Sequence, residues 1–226
     1  MGNFYEDLDL KPPTDEELGF MNRQRVAGYF STIFIATIVA LIASVIANLI
    51  TIMNIVEAIS YFVAGNAMIN IGVSEKKHVG LYATAGTGQI LVGVLALLTL
   101  YMDTIGIQTP AGAVIAIILA IITGVVYLVG AFCEGKAYAK TIAALDWTLA
   151  EKWNVYAVLY IVANVGFIVC IILSVSGVLA SAGIMLWVDI GLIIFLFVVT
   201  TMKPVYLSKT VKCLEKSVSV GTNNEQ

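Results

Sequence analysis

Residues 181–202 read SAGIMLWVDIGLIIFLFVVTTM, and this stretch decides the fold class. It contains one charged residue, Asp189, in an otherwise apolar run. At about 1.5 Å of rise per residue, roughly 20 helical residues cover the ~30 Å hydrocarbon core of a bilayer. The stretch therefore predicts a transmembrane helix, and it raises the question of why a carboxylate lies where ionisation is costly.

The whole chain shares this apolar character. Of its 226 residues, 60% are hydrophobic and 12% are charged, whereas a soluble domain has about half and about a quarter. The mean hydropathy is +0.96. Long uncharged runs of helical length predict an all-α integral membrane protein whose main partner is the lipid bilayer.

Six spans are predicted, and the first two need an argument. The apolar region 27–73 has a single charge, Glu57, and would be ~70 Å long as one helix. It therefore has to turn, and the polar residues within 48–54 (NLITIMN) mark the best place, although no Gly or Pro lies there. The predicted spans are about 28–48, 52–73, 81–102, 111–132, 154–176 and 181–202.

The basic residues determine how the spans are oriented. With six spans, every Lys and Arg falls on one side of the membrane: Lys11, Arg23, Arg25, Lys76, Lys77, Lys136, Lys140, Lys152, Lys203, Lys209, Lys212 and Lys216. If 52–73 were a surface helix, the basic residues after it would lie opposite those before it. The positive-inside rule therefore favours three hairpins with both termini cytoplasmic. Short loops favour a multi-pass protein of the cell (cytoplasmic) membrane.

The segments outside the spans are expected to be cytoplasmic. Residues 1–26 are polar and lack the apolar core of a signal peptide. Residues 136–153 and the basic tail 203–226 each place apolar residues on one helical face and lysines on the other, which predicts amphipathic helices on the membrane surface, with disorder at the end of the tail. Aromatic residues at the cytoplasmic boundary are expected to form an interfacial belt. They are Tyr29, Phe30, Tyr82, Trp153, Tyr156 and Tyr206.

No motif points to enzymatic chemistry. The one histidine, His78, and three cysteines without CxxC spacing predict neither a metal site nor a catalytic triad nor a cofactor. The sequence GAFCEGKA at 130–137 fits G-x-x-x-x-G-K, but Ala137 stands where a phosphate-binding loop needs Ser or Thr, and the sequence follows a membrane helix. We therefore expect no enzyme activity and no nucleic-acid partner.

Small residues at a spacing of four predict close helix packing in two spans. Span 4 carries Gly112, Ala116, Ala120 and Gly124, and span 1 includes Ala36 and Ala40. These ladders serve packing within the bundle, or else docking of another copy or of a partner membrane subunit.

Polar side chains inside the spans are the candidate site. Asn54, Glu57 and Tyr61 share one face of span 2. Counted from the outer ends of their spans, Glu57 and Asp189 lie ~7 and ~12 Å deep, so both acids fall in the outer half of the membrane, away from every basic residue. Gln89 and Asn164 are the other candidate polar neighbours.

Two functions fit these residues. The first is a small transporter, or the membrane-embedded binding subunit of one, in which the two acids bind a cation or a small molecule. The second is a membrane scaffold, assembly factor or regulator that acts through its packing faces and amphipathic helices. In the second case the acids are protonated or face a vestibule. The substrate, the coupling ion and the oligomeric state stay open at this point.

Overall fold

The chain forms long α-helices. The computed structural model describes residues 15–47, 50, 52–105, 110–175 and 182–223, and it describes side chains chiefly within 21–47, 52–101, 121–166 and 190–219. Six helices account for nearly all of these residues. They are α1 (Asp15–Ala47), α2 (Met53–Glu75), α3 (Val79–Ile105), α4 (Pro110–Ile142), α5 (Trp147–Val175) and α6 (Ala182–Asn223).

The six helices close into a ring. Each helix contacts the next one along the chain, and α6 returns to contact α1. Because the connections are short, successive helices run antiparallel. The ring leaves a central axis onto which every helix can direct side chains, and this arrangement positions the site described below.

Several of these helices are long and apolar enough to cross a membrane. Within the described residues, such segments are Met21–Ala47, Met53–Glu75, Val79–Tyr101, Ile121–Ile142 and Ile190–Ser219. Helix α5 has 29 residues, so its length also suffices. Large apolar side chains such as Ile35, Val45 and Phe197 are 58%, 72% and 68% exposed on the outside of the ring. This apolar outer surface is the kind that a membrane protein presents to lipid.

One end of the ring carries the described connections between α2 and α3 and between α4 and α5, and we call it the basic end because the exposed lysines at 76, 77, 140 and 152 are there. The α2–α3 connection is three residues long, and Lys76 and His78 both adopt left-handed backbone, with φ of 54° and 55°. Asn22 of α1 donates a 2.7 Å hydrogen bond to the carbonyl oxygen of Ser74, so α1 covers the end of α2.

A buried aromatic cluster lies toward the basic end. This aromatic plug consists of Phe30, Tyr82, Tyr138, Trp153 and Tyr156, each at most 2% exposed. Rings pack edge to face, with the centroids of Tyr138 and Trp153 4.9 Å apart. The expectation of an interfacial belt is wrong for Phe30, Tyr82, Trp153 and Tyr156. Their aromatic side chains point into the bundle, because the six helices enclose the helix faces on which these residues lie.

The segment 136–153 is not one amphipathic surface helix. Helix α4 continues to Ile142, a turn follows, and α5 begins at Trp147, where Asp146 Oδ1 accepts a 2.9 Å hydrogen bond from the Leu149 amide as an N-cap. Ile142 and Leu149 are buried by neighbouring helices, whereas Leu145, on the same predicted face, is 44% exposed in the turn.

Helix α6 runs without a break across the boundary predicted between span 6 and the tail. It has 42 residues, or about 63 Å, and includes Pro204. The apolar face of its second half packs on the protein, with Leu207 and Leu214 0% and 4% exposed, while the lysines of this half at 209, 212 and 216 are exposed. Residues 224–226 lie outside the described part of the chain.

Glycines allow the closest described approaches between helices. A Cβ atom at Gly65 on α2 would lie 2.5 Å from the Gly86 carbonyl oxygen on α3, and the reverse substitution meets Gly65 at the same distance. By contrast, a Cβ atom at Gly124 would meet nothing within 4 Å. The other ladder positions of α4, at 112, 116 and 120, lie outside the described side chains.

Candidate functional site

A polar cavity of about 60 Å³ lies on the axis of the ring, and all six helices contribute to its wall. The lining combines small residues with hydroxyl, amide and charged groups. Its residues are Ala36, Thr37, Ala40, Leu41, Ser44, Glu57, Ser60, Tyr61, Ala64, Gln89, Tyr127, Tyr156, Tyr160, Thr200 and Lys203. At roughly 10–15 Å³ for each water molecule, this volume holds only a few waters or a solute of similar size.

Glu57 is the acid on the wall toward the end opposite the basic end. It lies one turn inside α2, and the Tyr61 hydroxyl, one turn further along the same helix, donates a 3.0 Å hydrogen bond to Glu57 Oε1. This bond leaves the other carboxylate oxygen available to a ligand. Helical spacing of four residues is what brings the two side chains together.

Tyrosines line the middle of the cavity. The rings of Tyr127 on α4 and Tyr160 on α5 meet edge to face with centroids 5.6 Å apart, and Tyr156 packs against Tyr160 at 5.7 Å. Tyr127 also interacts with Tyr61. Their hydroxyl groups can accept or donate hydrogen bonds, so the wall suits a cation as well as a polar solute.

An ion pair borders the cavity on the side of the aromatic plug. The Lys203 ammonium on α6 lies 2.9 Å from Glu134 Oε1 and donates a 2.9 Å hydrogen bond to Oε2. Gln89 Nε2 on α3 donates to the same Oε2 at 3.3 Å. The side chain of Glu134 is 1% exposed and that of Lys203 is 17% exposed. Gln89 and Lys203 line the cavity themselves, so they connect it to the buried carboxylate behind them.

Five of the residues singled out from the sequence are brought together here. Glu57, Tyr61, Gln89, Ala36 and Ala40 all line the cavity.

Two others are not among its lining residues. Asn54 lies half-buried near the start of α2, and Asn164 donates a 2.8 Å hydrogen bond to the Tyr160 carbonyl oxygen within its own helix. Asp189 belongs to α6, and its side chain lies outside the described part of the structure, so its relationship to Glu57 is untested.

The sequence did not identify Glu134 as part of a site and assigned Lys203 to the cytoplasmic tail. It also placed every basic residue out of reach of the cavity acids. The structure corrects this for Lys203, which lines the same cavity as Glu57. No signal in a single sequence marks this pair, because Glu134 and Lys203 each lie where an apolar run meets basic residues.

Among the described residues, no group of three or more His, Cys, Asp or Glu side chains could hold a metal ion. No protein-family model, no curated protein and no solved structure matches the chain.

Proposed function

We propose that this protein is a small transporter that binds a small cation or a small polar solute in its axial cavity. The observation that carries the proposal is that all six helices contribute to one polar cavity inside an otherwise apolar molecule. Polar groups inside a membrane domain are costly, so their convergence on an axis is typical of a solute pathway.

The charges on the wall favour a cation. Lys203 and Glu134 neutralise each other, and among the described side chains they form the one ion pair. Glu57 therefore contributes an uncompensated negative charge when it is ionised. A carboxylate, several hydroxyl groups and a volume of about 60 Å³ suit an alkali cation or a small ammonium ion.

The proposed topology has six spans across a cell membrane, with both termini in the cytoplasm. The basic residues support it, since alternating helices place the lysines at 76, 77, 140 and 152 at one end of the ring. In this orientation the aromatic plug faces the cytoplasm, and Glu57 lies toward the outside.

Uptake by proteoliposomes tests the proposal. Purified protein is reconstituted, and the uptake of radiolabelled sodium and of radiolabelled methylammonium is compared with that of empty liposomes. We expect uptake of at least one probe, and we expect Glu57→Gln to reduce it by roughly tenfold or more, because a neutral amide loses about 1.4 kcal/mol or more of cation binding. Asp189→Asn, measured in parallel, shows whether the second acid takes part.

Glu151→Gln is the matched control. Glu151 is exposed at the basic end and accepts a 3.0 Å hydrogen bond from Trp147 Nε1, away from the cavity. Its variant should retain wild-type uptake. Equal uptake by Glu57→Gln and the wild type, or no uptake of either probe above empty liposomes, contradicts the proposal.

The alternative is a scaffold that binds a partner helix, and a surface groove between α3 and α4 favours it. The groove has a volume of about 460 Å³ and is lined by small and apolar residues, including Thr87, Gly88 and Gly130. A Cβ atom at Gly88 would lie 3.1 Å from the Gly130 Cα, so the groove has a shallow floor made of backbone. Thr87→Trp would fill it. The scaffold is supported if the wild-type protein transports neither probe and if native mass spectrometry shows an assembly that the Thr87→Trp variant no longer forms.

A further inference from the structure

The aromatic plug closes the axis between the cavity and the basic end, yet polar groups run through it. We propose that these groups carry protons between the basic-end surface and the cavity, so that proton movement is coupled to the cation. The proposal rests on the proposed function, because it assigns the coupling ion of the same cavity. The groups concerned are Glu75, Thr141, Tyr82, Tyr138 and Glu134.

These groups form a proton chain, and the half of it nearest the basic-end surface is a continuous set of hydrogen bonds. Thr141 Oγ1 donates to Glu75 Oε2 at 3.0 Å, and Thr141 Oγ1 and the Tyr82 hydroxyl are 2.6 Å apart. Since threonine has one hydroxyl proton and gives it to Glu75, Tyr82 must be the donor in the second bond. Both hydroxyl protons therefore point toward Glu75, which is the polarity needed to pass a proton toward the basic-end surface.

The half nearest the cavity is also continuous. Glu134 is held by Lys203 and by Gln89, both of which line the cavity. A proton that reaches Glu134 is therefore one side chain away from the ligand site. Glu134 is the only described carboxylate in contact with both the plug and the cavity wall.

Tyr138 fills the interval between the two halves. Its hydroxyl is buried beside Glu134 and makes no hydrogen bond of good geometry to a described group. Tyr138 interacts with both Tyr82 and Glu134, and its ring centroid lies 6.2 Å from that of Tyr82. A buried hydroxyl without a well-formed hydrogen bond is costly, and its position between Tyr82 and Glu134 suits a transfer role.

The transfer conserves protons. A proton leaving Glu134 joins the Tyr138 oxygen as the hydroxyl proton of Tyr138 passes to Tyr82. Tyr82 passes its own proton to Thr141, which passes its proton to Glu75. Each hydroxyl gains one proton and loses one, so the net change is that Glu134 becomes a carboxylate and Glu75 a carboxylic acid.

Protonation of Glu134 changes the charge on the cavity wall. When Glu134 is ionised, it neutralises Lys203, and the cavity keeps the negative charge of Glu57. When Glu134 is protonated, Lys203 loses its counter-ion and repels a bound cation. Proton arrival and cation release are thereby linked, as in an exchanger.

The groups around Glu134 and Glu75, the two ends of the proton chain, come from several helices. Glu134 faces Gln89 from α3, Tyr156 from α5 and Lys203 from α6, besides Tyr138 on its own helix. Glu75 faces Thr141 from α4 and Lys77 in the following connection, and it interacts with Tyr82 from α3.

The test measures proton movement directly. Liposomes loaded with a pH-sensitive dye receive a potassium diffusion potential, and the internal pH is followed with and without sodium or methylammonium. We expect Tyr138→Phe to reduce protein-dependent proton movement by at least tenfold. It should change thermal stability little, because the hydroxyl makes no well-formed hydrogen bond. A structural role alone would not separate these two readouts.

Two further variants support the experiment. Tyr206→Phe is the control. The Tyr206 ring also packs against Trp153, with centroids 5.7 Å apart, but Tyr206 belongs to neither half of the proton chain. It should retain wild-type proton movement. Thr141→Val interrupts the chain at a second point and should match Tyr138→Phe.

The outcomes separate this inference from the proposed function. Cation uptake that depends on Glu57, together with proton movement that is absent or unchanged in both Tyr138→Phe and Thr141→Val, overturns the proton chain and leaves the transporter standing. Proton movement lost in both variants, in a protein that takes up neither cation probe, overturns cation transport but supports the chain.

Discussion

Lys203 and Glu134 lie 69 residues apart in sequence, and their ammonium and carboxylate groups are 2.9 Å apart in the structure. This ion pair joins α6 to α4 across the axis of the ring. It also forms the boundary between the polar cavity and the aromatic plug, so it links the packing of the molecule to the chemistry proposed for it.

Breaking this pair from one side should cost more than removing both partners. Lys203→Met leaves a buried carboxylate without its cation, and we expect a loss of about 3 kcal/mol or more in unfolding free energy. The double variant Glu134→Gln/Lys203→Met should recover most of this loss. Unfolding of the detergent-solubilised protein, analysed as a double-mutant cycle, measures it. Additive losses from the two substitutions would show that the pair does not couple the helices.

The crossing of α2 and α3 should not tolerate a methyl group. Gly65→Ala places a Cβ atom 2.5 Å from the Gly86 carbonyl oxygen, so the helices must move apart. We expect a loss of about 1–3 kcal/mol. Gly124→Ala is the control, because nothing lies within 4 Å and alanine is the better helix former. Thermal unfolding midpoints of the two variants should move in opposite directions, and a drop shared equally by both would count against the crossing.

Tyr61→Phe should weaken cation binding without removing it. The Tyr61 hydroxyl donates to Glu57 Oε1 at 3.0 Å, so it orients the carboxylate and stabilises its ionised form. Loss of one such bond is worth about 1 kcal/mol, or roughly fivefold in affinity. The concentration of sodium or methylammonium at half-maximal uptake measures the change. Tyr101→Phe, at a tyrosine that is 62% exposed, should leave that concentration unaltered.

Labelling with a membrane-impermeant maleimide tests the orientation. In a variant whose three cysteines are replaced by serine, His78→Cys should be labelled only after the cells are opened, whereas Gln108→Cys should be labelled in intact cells. The reason is that His78 lies in a connection at the basic end, and basic residues stay in the cytoplasm. Labelling of both positions from the same side would exclude an odd number of spans between them, and with it the proposed topology.

The hydrogen bond between Trp153 and Thr210 should stabilise the contact between α5 and α6. Trp153 Nε1 donates to Thr210 Oγ1 at 3.0 Å, and both residues are fully buried. Trp153→Phe removes the donor and leaves the hydroxyl without a partner, at a cost of about 1–3 kcal/mol beyond the smaller ring. Adding Thr210→Val should restore part of that loss in unfolding experiments, and a further loss of equal size would rule out the bond as the cause.

The candidate site was only partly accessible from the sequence. Glu57, Tyr61 and Gln89 could be identified because a polar residue in an apolar run is conspicuous by itself, and all three line the cavity. Glu134 and Lys203 could not, because each lies where an apolar run meets basic residues and resembles an ordinary membrane boundary. Their role depends on a partner in another helix, and a single sequence does not record such a pairing.

The sequence by itself determined the all-helical class and the approximate positions of the helices, because the cost of burying polar groups in lipid acts residue by residue along the chain. Only the tertiary structure decided which face of each helix points inward. The aromatic residues at 30, 82, 153 and 156 have the same composition signal whether they face lipid or protein. Closure of the ring buries them, and it places Lys203 beside Glu134, because packing geometry depends on contacts between distant segments.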